Sequence, residues 1–192
     1  MLVDSLKSHT ALVVLDVQRA GIAYTGEDAA LLNHLSSAVA TARKAGISVI
    51  HVMAHYREGY PEVNPHNRFY SGMFKAGALQ SADLSLHPAA APQAGEVIVT
   101  KARSSAFSGS DLEVILRAQA ISHLVLCGVI TSNVVLSTLL AAADKDYELT
   151  VLSDCCADAD KDVQHILMTK IFPQWAEVIT TDAWNKRVNE GA

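Results

Sequence analysis

Residues 123–154 read HLVLCGVITSNVVLSTLLAAADKDYELTVLSD, and this stretch decides the fold. A short run rich in β-branched residues stands at each end, and an apolar segment of helical length lies between the two runs. This order of strand, helix and strand is typical of a parallel sheet covered by helices. The segment predicted as a helix, residues 131–145, is apolar almost all the way round, so we expect it to be buried on more than one side.

The same alternation extends along the chain and predicts a single α/β domain over residues 1–192, with helices on both faces of a six-stranded parallel sheet. The predicted strands are residues 11–17, 47–53, 96–100, 123–129, 148–154 and 176–180. The predicted helices are residues 28–45, 110–119, 131–145 and 160–172, with Gly46 and Pro173 as stop signals and Ser110, Thr131 and Asp160 as N-caps.

Residues 54–95 interrupt this alternation. The segment contains four of the five prolines of the chain and several glycines, and it is long for a connection inside a compact domain. Such a connection is typical of a functional lid or of a loop that carries short helices of its own. If it is a lid, the sequence leaves open whether it covers the site of its own chain or that of a neighbour.

Composition excludes several classes of protein. Half of the 192 residues are hydrophobic and 18% are charged, which excludes intrinsic disorder. The net charge of -5 has the wrong sign for a nucleic-acid partner, and no apolar run approaches the roughly 20 residues that a membrane span needs. The first ten residues, MLVDSLKSHT, show no export signal, and three cysteines without framework spacing indicate a reducing compartment. We therefore expect a cytoplasmic protein.

Ligands of open parallel sheets bind beyond the carboxyl ends of the strands. Asp16 stands at the end of the first predicted strand and Lys101 follows the third. A carboxylate at the end of a buried strand needs a partner, and Lys101 is the candidate for Asp16. The alternative is structural: Asp16 caps a turn and Lys101 is a solvated strand end.

Three blocks of the sequence resemble the isochorismatase-like hydrolases, a family of cysteine hydrolases. They are LVVLDVQ at 12–18, VTKARSSAF at 99–107 and CGVITSNVVLSTLLAAADKDYELTVLSDCCAD at 127–158. The resemblance implies a Rossmann-like three-layer fold, a homo-oligomer and a small-molecule substrate. Cysteine-dependent members use an aspartate, a lysine and a nucleophilic cysteine, and here Asp16 and Lys101 match the first two.

The third residue departs from the family pattern, because Val134 stands where the cysteine is expected. Valine cannot attack an amide carbon. The isochorismatases proper lack the cysteine and hydrolyse a vinyl ether by acid catalysis from the aspartate. The resemblance therefore favours a hydrolase in which Asp16 is the acid/base and Lys101 orients it. Two alternatives stay open: an amide hydrolase that uses water or Ser137 as nucleophile, and a non-catalytic protein that binds a metabolite.

The resemblance also implies a substrate-binding turn after the fourth strand. It implies a cis peptide between Val129 and Ile130 and backbone N–H groups that point at the substrate. A purely structural turn with Thr131 as N-cap is the alternative. We predict that Val129, Ile130, Thr131 and Val134 contact the substrate.

Side chains elsewhere complete the predicted pocket. Phe107 is expected as a pocket wall and His55 as a donor that lines the pocket. Arg57 lies in the segment YREGYPEVNPHNRFY, whose cations and aromatic rings suit a small, planar, anionic ligand; a solvated loop is the alternative. His51 is expected to be an ordinary strand residue. Because HVMAHYREGY has no aspartate close to a histidine, we predict no bound metal, and we predict no cofactor.

Overall fold

The structure, a computed structural model, describes residues 9–190. The described residues do not include residues 1–8 or 191–192. The prediction that the first ten residues carry no export signal therefore falls mostly outside the described residues. Six parallel strands form one sheet in the order β3-β2-β1-β4-β5-β6. The strands are Thr10–Leu15 (β1), Ser48–Ala54 (β2), Val97–Lys101 (β3), His123–Val129 (β4), Glu148–Ala157 (β5) and Glu177–Ile179 (β6).

Eight α-helices are present within residues 9–190. They are Arg19–Thr25 (α1), Ala29–Ala45 (α2), Arg68–Lys75 (α3), Ala78–Ser81 (α4), Leu112–Ala118 (α5), Leu136–Ala143 (α6), Lys161–Ile166 (α7) and Thr181–Glu190 (α8). A π-helical turn, Thr131–Val135, precedes α6, and another, Leu167–Ile171, follows α7. None of the described helices has the length and apolar character needed to cross a bilayer.

The predicted sheet is confirmed, with all six strands within three residues of their expected ends. Among the predicted helices, α2 has the expected bounds. The Asp28 side chain accepts a hydrogen bond from the Ala30 N–H at 2.8 Å, and Gly46 ends the helix with a φ of 72°. Asp160 is confirmed as the N-cap of α7. Helices α1 and α8 have no counterpart in the sequence prediction, whereas α3 and α4 are short helices inside the 54–95 connection.

The N-cap prediction for Thr131 is wrong. Thr131 is already the first residue of the π-helical turn, its side chain is fully buried, and it makes no capping hydrogen bond. The Asp158 carboxylate takes this role from outside the helix, because its Oδ2 accepts a hydrogen bond from the Ser132 N–H at 2.7 Å. The expected burial of the helix is confirmed: of residues 131–143, Ser132 alone is exposed.

Alternate residues of the central strands supply two apolar cores, one on each face of the sheet. On β1, Val13 and Leu15 belong to the core beneath α5 and α6, whereas Leu12 and Val14 belong to the core beneath α2 and α8. Strands that bury both faces read as continuous apolar runs, which is why β1 and β4 are recognisable in the sequence.

Strands β1 and β4 approach each other closely near their carboxyl ends. Leu15 and Gly128 are register partners, and Gly128 has a φ of 134°. A Cβ atom at this position would lie 2.0 Å from the carbonyl oxygen of Leu15, so only glycine fits. Because Asp16 follows Leu15 directly, this contact also fixes the start of the site described below.

Replacing Gly128 by alanine tests this constraint. We expect Gly128→Ala to lower the free energy of unfolding by about 3 kcal/mol or more, because a backbone clash of this kind costs roughly 1–3 kcal/mol and the strained φ adds about as much. Gly72→Ala is the matched control, since Gly72 lies in α3 with nothing within 4 Å of its added Cβ. Urea unfolding followed by circular dichroism measures both; equal midpoints for the two variants would contradict the constraint.

Candidate active site

The candidate site lies at the point where the strand order reverses. The chain leaves β1 toward the face covered by α2, and it leaves β4 toward the opposite face, through α6. Divergence of neighbouring connections opens a crevice at the carboxyl ends of such strands. A cavity of about 570 Å³ occupies this place, and Asp16, Lys101 and the turn after β4 line it.

Asp16 and Lys101 form a buried ion pair in this cavity. Lys101 Nζ donates to Asp16 Oδ2 at 2.7 Å, and the two side chains are 1% and 14% exposed for Lys101 and Asp16, respectively. Lys101 ends β3 and Asp16 follows β1, so the lysine side chain reaches past the end of β2. The register partner of Lys101 on β2 is Ala54, which leaves room for that reach. The pairing expected from the sequence is therefore confirmed.

The second carboxylate oxygen of Asp16 is not used by the ion pair. Asp16 Oδ1 is buried and has no hydrogen-bond partner among residues 9–190. Burial raises the pKa of Asp16 above its usual 3.8, and this effect exceeds the opposing effect of the Lys101 ammonium. The site thus favours a protonated carboxyl more than an exposed aspartate does, and its proton has no other acceptor close by.

Gln18, the residue before α1, ties the start of that helix to the end of β2. Its side-chain amide donates to the Ala54 carbonyl at 3.0 Å and accepts from the Ala54 N–H at 2.9 Å, so it pairs with β2 much as a strand would. The same Nε2 also donates to the carbonyl of Leu84. Gln18 therefore connects the end of the sheet to the 54–95 connection.

The 54–95 connection covers the site of its own chain. Its last third is bound to the start of α1, because Arg19 N–H donates to Ser85 and Ala20 N–H donates to Asp83, both at 3.0 Å. Its residues on the cavity are Ala54, Tyr56, Phe69, Tyr70, Met73, Ala78, Leu79, Ser81, Ala82 and Leu84. Most of these side chains are apolar or aromatic, so the connection forms a largely apolar cover. Phe69 and Tyr24 are about half exposed or more and mark the mouth.

The turn after β4 contributes apolar side chains to the cavity, and several of its backbone N–H groups are already hydrogen-bonded. Val129, Ile130 and Val134 line the cavity, and the Val129–Ile130 peptide is cis, as the resemblance implies. The N–H groups of Asn133 and Val134 both donate to the Ile130 carbonyl, and that of Ser132 donates to Asp158. These three N–H groups are therefore paired within the protein.

Four residues predicted to contact the substrate do not line the cavity. Thr131 is buried behind the turn. Phe107 packs on the ring of Tyr147, with 6.0 Å between centroids, and belongs to the core instead of a pocket wall. His55 is exposed, because its N–H pairs with the Lys101 carbonyl and its ring turns outward. Arg57 is 76% exposed and pairs with Glu62 at 2.6 Å.

A different arginine reaches the cavity, and sequence reasoning missed it. Arg103 lines the cavity two residues after Lys101. Its Nη2 donates to the Glu62 carbonyl at 3.0 Å, and its guanidinium lies 5.1 Å from the centroid of the Tyr70 ring. The available signal was its place in the VTKARSSAF block, directly after the strand that carries Lys101.

None of the three cysteines, all of which lie in the described part of the chain, lines the cavity. Cys127, Cys155 and Cys156 are buried, and burial raises the pKa of each thiol, that of Cys155 to about 12. Ser137 does not line the cavity either, because its hydroxyl donates to the Asn133 and Val134 carbonyls of its own helix. Ser81, Ser104 and Ser132 line the cavity, but none of their hydroxyls is hydrogen-bonded to a histidine or a carboxylate among the described residues. The described residues therefore bring no thiol to the site and no serine paired with a base.

Within residues 9–190 no three histidine, cysteine or acidic side chains lie close enough together to hold a metal ion. His51 is a fully buried residue of β2, as expected, and its Nε2 pairs with Glu96 at 3.0 Å. This pair belongs to the core beside Arg43, away from the cavity.

Comparisons with known proteins agree with this architecture. A family model described as an isochorismatase domain matches residues 10–183. The chain is 32% identical over 176 residues to a ureidoacrylate amidohydrolase (RutB) of Azorhizobium caulinodans, covering 79% of this chain and 77% of that protein. It is 32% identical over 92 residues to a maleamate amidohydrolase of Pseudomonas putida, covering 48% and 43%.

A solved structure is similar over almost the whole chain. It is that of a cysteine hydrolase from Pseudomonas syringae pv. phaseolicola, with a TM-score of 0.87 and 26% identity, covering 97% of this chain and 95% of that one. The match of residues 10–183 and the six-stranded sheet lead to the same conclusion. The chain belongs to the isochorismatase domain family and is a hydrolase of that family.

Proposed function

We propose that the protein hydrolyses a small metabolite by acid catalysis, with Asp16 as the proton donor and a vinyl ether as the type of bond cleaved. One observation carries the proposal. Asp16 Oδ1 lies buried at the cavity without a partner, in a site that raises its pKa and contains no thiol among the described residues. A carboxyl group of this kind can transfer a proton, whereas the described residues place no thiol beside it to form a thioester intermediate.

The proposed reaction consumes one water. Asp16 transfers its proton to the vinyl carbon, which leaves a positive, oxocarbenium-like carbon beside the ether oxygen. Water adds to that carbon and returns a proton to Asp16. The adduct then collapses with cleavage of the carbon–oxygen bond, giving a carbonyl compound and an alcohol.

Lys101 stabilises the negative charge that appears on Asp16 when the proton is transferred. Once Asp16 has lost its proton, the ammonium 2.7 Å away stabilises the carboxylate. Tyr56 lines the same cavity, and burial raises its pKa to about 12, with smaller contributions from Tyr70 and Asp16. Its phenol therefore stays a neutral donor at physiological pH.

Amide hydrolysis by a bound water is the second candidate. The names of two relatives favour it, because both are amidohydrolases. In this reaction Asp16 must be ionised, since it would accept a proton from the attacking water. Ser137 is not retained as nucleophile, because its hydroxyl bonds its own helix. A homo-oligomer and a cytoplasmic location stay predictions.

Replacing Asp16 tests both candidates against a non-catalytic role. We expect Asp16→Asn to lower turnover by about 100-fold or more, because general acid or base catalysis contributes roughly 10²–10⁴-fold. A mass-spectrometric screen of vinyl ethers and small amides supplies the substrate. Asp158→Asn is the matched control, since Asp158 is the other carboxylate of the cavity and its amide can still accept from Ser132.

The controls decide how the result is interpreted. Asp158→Asn and Ser137→Ala should each keep turnover within about tenfold of the wild type, and thermal melting should show that all three variants fold. Full turnover by Asp16→Asn would exclude both proposed mechanisms. Binding of compounds without turnover of any would favour a metabolite-binding protein.

The pH dependence of kcat/KM separates acid catalysis from amide attack. A group that acts in its protonated form loses activity as the pH rises through its pKa, and one that acts as a base gains activity there. Because burial raises the pKa of Asp16, we expect kcat/KM to fall with rising pH from a point above 3.8, and this limb should be missing in Asp16→Asn. A rising limb at the same point would identify the base mechanism.

Alkylation tests the absence of a working thiol. We expect iodoacetamide at neutral pH to leave activity unchanged and to label none of the three cysteines of the native protein, because all are buried and burial raises the pKa of each thiol. Mass spectrometry of the native and the urea-unfolded protein measures the labelling, and the unfolded sample is the positive control. Rapid labelling of one thiol together with loss of turnover would overturn the acid mechanism.

A further inference from the structure

The cavity contains one cation whose charge is not neutralised by another described residue. Four charged side chains line it: Asp16, Lys101, Arg103 and Asp158. Asp16 and Lys101 pair with each other. Asp158 accepts from the N–H groups of Ser132 and Asp160, at a helix start that favours a negative charge. Arg103 has no carboxylate within 4.0 Å among residues 9–190, although its cationic group borders a largely apolar space.

The Arg103 guanidinium is held in one orientation. Its Nη1 donates to the Ala102 carbonyl at 2.6 Å and its Nη2 to the Glu62 carbonyl at 3.0 Å, while its plane lies over the Tyr70 ring. Tyr70 is itself fixed by a 3.0 Å hydrogen bond between its hydroxyl and Ser104 Oγ. A guanidinium has five N–H donors, so donors remain after these two bonds. Because the Arg103 side chain is already ordered, binding an anion here would cost little conformational entropy.

The charge of Arg103 acts on the same space as the reacting carboxyl. Tyr56 feels both groups, because the Asp16 carboxylate raises its pKa and the Arg103 guanidinium lowers it. Lys101 and Arg103 are two residues apart, so their Cα atoms are separated by no more than about 7 Å. One small ligand in the cavity can therefore meet both Asp16 and Arg103, since both line it and both act on Tyr56.

We infer that the substrate carries a carboxylate that Arg103 binds, while the bond to be cleaved lies at Asp16. The inference rests on the proposed function for the place of the cleaved bond. A planar fork of N–H donors matches the two oxygens of a carboxylate. The rings of Tyr56, Phe69 and Tyr70 line the same cavity, and they suit a flat, unsaturated body beside the carboxylate. Arg103 takes the role for which the sequence offered Arg57.

Binding of benzoate and benzamide tests the inference without any turnover. The two probes have nearly the same shape, but only benzoate is an anion. We expect wild-type protein to bind benzoate at least about tenfold more tightly than benzamide in calorimetric titrations, since contacts with a charged partner are worth that much or more. Asp16→Asn should keep this preference, so failure of the proposed mechanism and failure of the inference give different results.

Two arginine variants provide the comparison. Arg103→Met should weaken benzoate binding at least about tenfold and change benzamide binding less than about twofold. Arg57→Met is the matched control, because Arg57 also contacts Glu62 but does not line the cavity, and it should leave both affinities unchanged. Arg103→Lys keeps the charge without the fork and should give an intermediate affinity for benzoate, which keeps the test valid if Arg103→Met does not fold.

The opposite results are equally specific. Equal affinity of wild-type protein for the two probes, or no binding of either in the millimolar range, would overturn the inference. Parallel weakening of both probes by Arg103→Met would show that Arg103 only supports the shape of the cavity. Loss of the benzoate preference in Arg57→Met alone would return the anion-binding role to the loop that the sequence indicated.

Discussion

The ion pair between Asp16 and Lys101 is the interaction on which the site depends. A buried carboxylate without a partner costs several kcal/mol, so Asp16 can follow a central strand only if a cation reaches it. The cation comes from β3, two strands away, or about 10 Å at the usual strand spacing. Only a long side chain that passes a small residue covers this distance, and Ala54 at the end of β2 leaves the necessary space.

The rest of the crevice is built around this pair. Gly128 lets β4 approach β1 at Leu15, directly before Asp16. The Gln18 side chain forms hydrogen bonds with the N–H and the carbonyl of Ala54. Strand β1 has already ended at this level and cannot form them. The order of the strands places β2 between the carboxylate and the cation that holds it.

The sheet could be predicted from the sequence because its signal is local. The β-branched runs of β1 and β4 are apolar on both faces, and β2 and β5 contain shorter runs of the same kind. Helices α1 and α8 were missed for the opposite reason. Helix α1 has seven residues, and α8 is polar except for the few side chains, such as Trp184 and Val188, that it packs on the sheet. Their stability comes from tertiary contacts, which local propensity does not report.

Site residues were predictable where the backbone fixes them. Asp16 and Lys101 stand at strand ends, so the strand pattern alone directs both to one edge of the sheet. Arg57 and Arg103 lie outside regular strands, and their side chains follow whichever partners the folded loop supplies. Glu62 shows this directly: its carboxylate holds Arg57 in solvent, and its carbonyl holds Arg103 at the cavity. Sequence proximity to aromatic residues could not distinguish the two.

The protonation state of Asp16 links the cover of the site to its chemistry. Lys101 alone would keep the carboxylate ionised, and an ionised Asp16 is a base. The pKa rises because burial outweighs the ammonium, and apolar side chains of the 54–95 connection line the same cavity. Val134 also lines the cavity, and its apolar side chain stands where the family pattern has a cysteine. In the proposed reaction, burial of the carboxyl matters as much as the choice of acid, because it favours the protonated form that would transfer a proton to carbon.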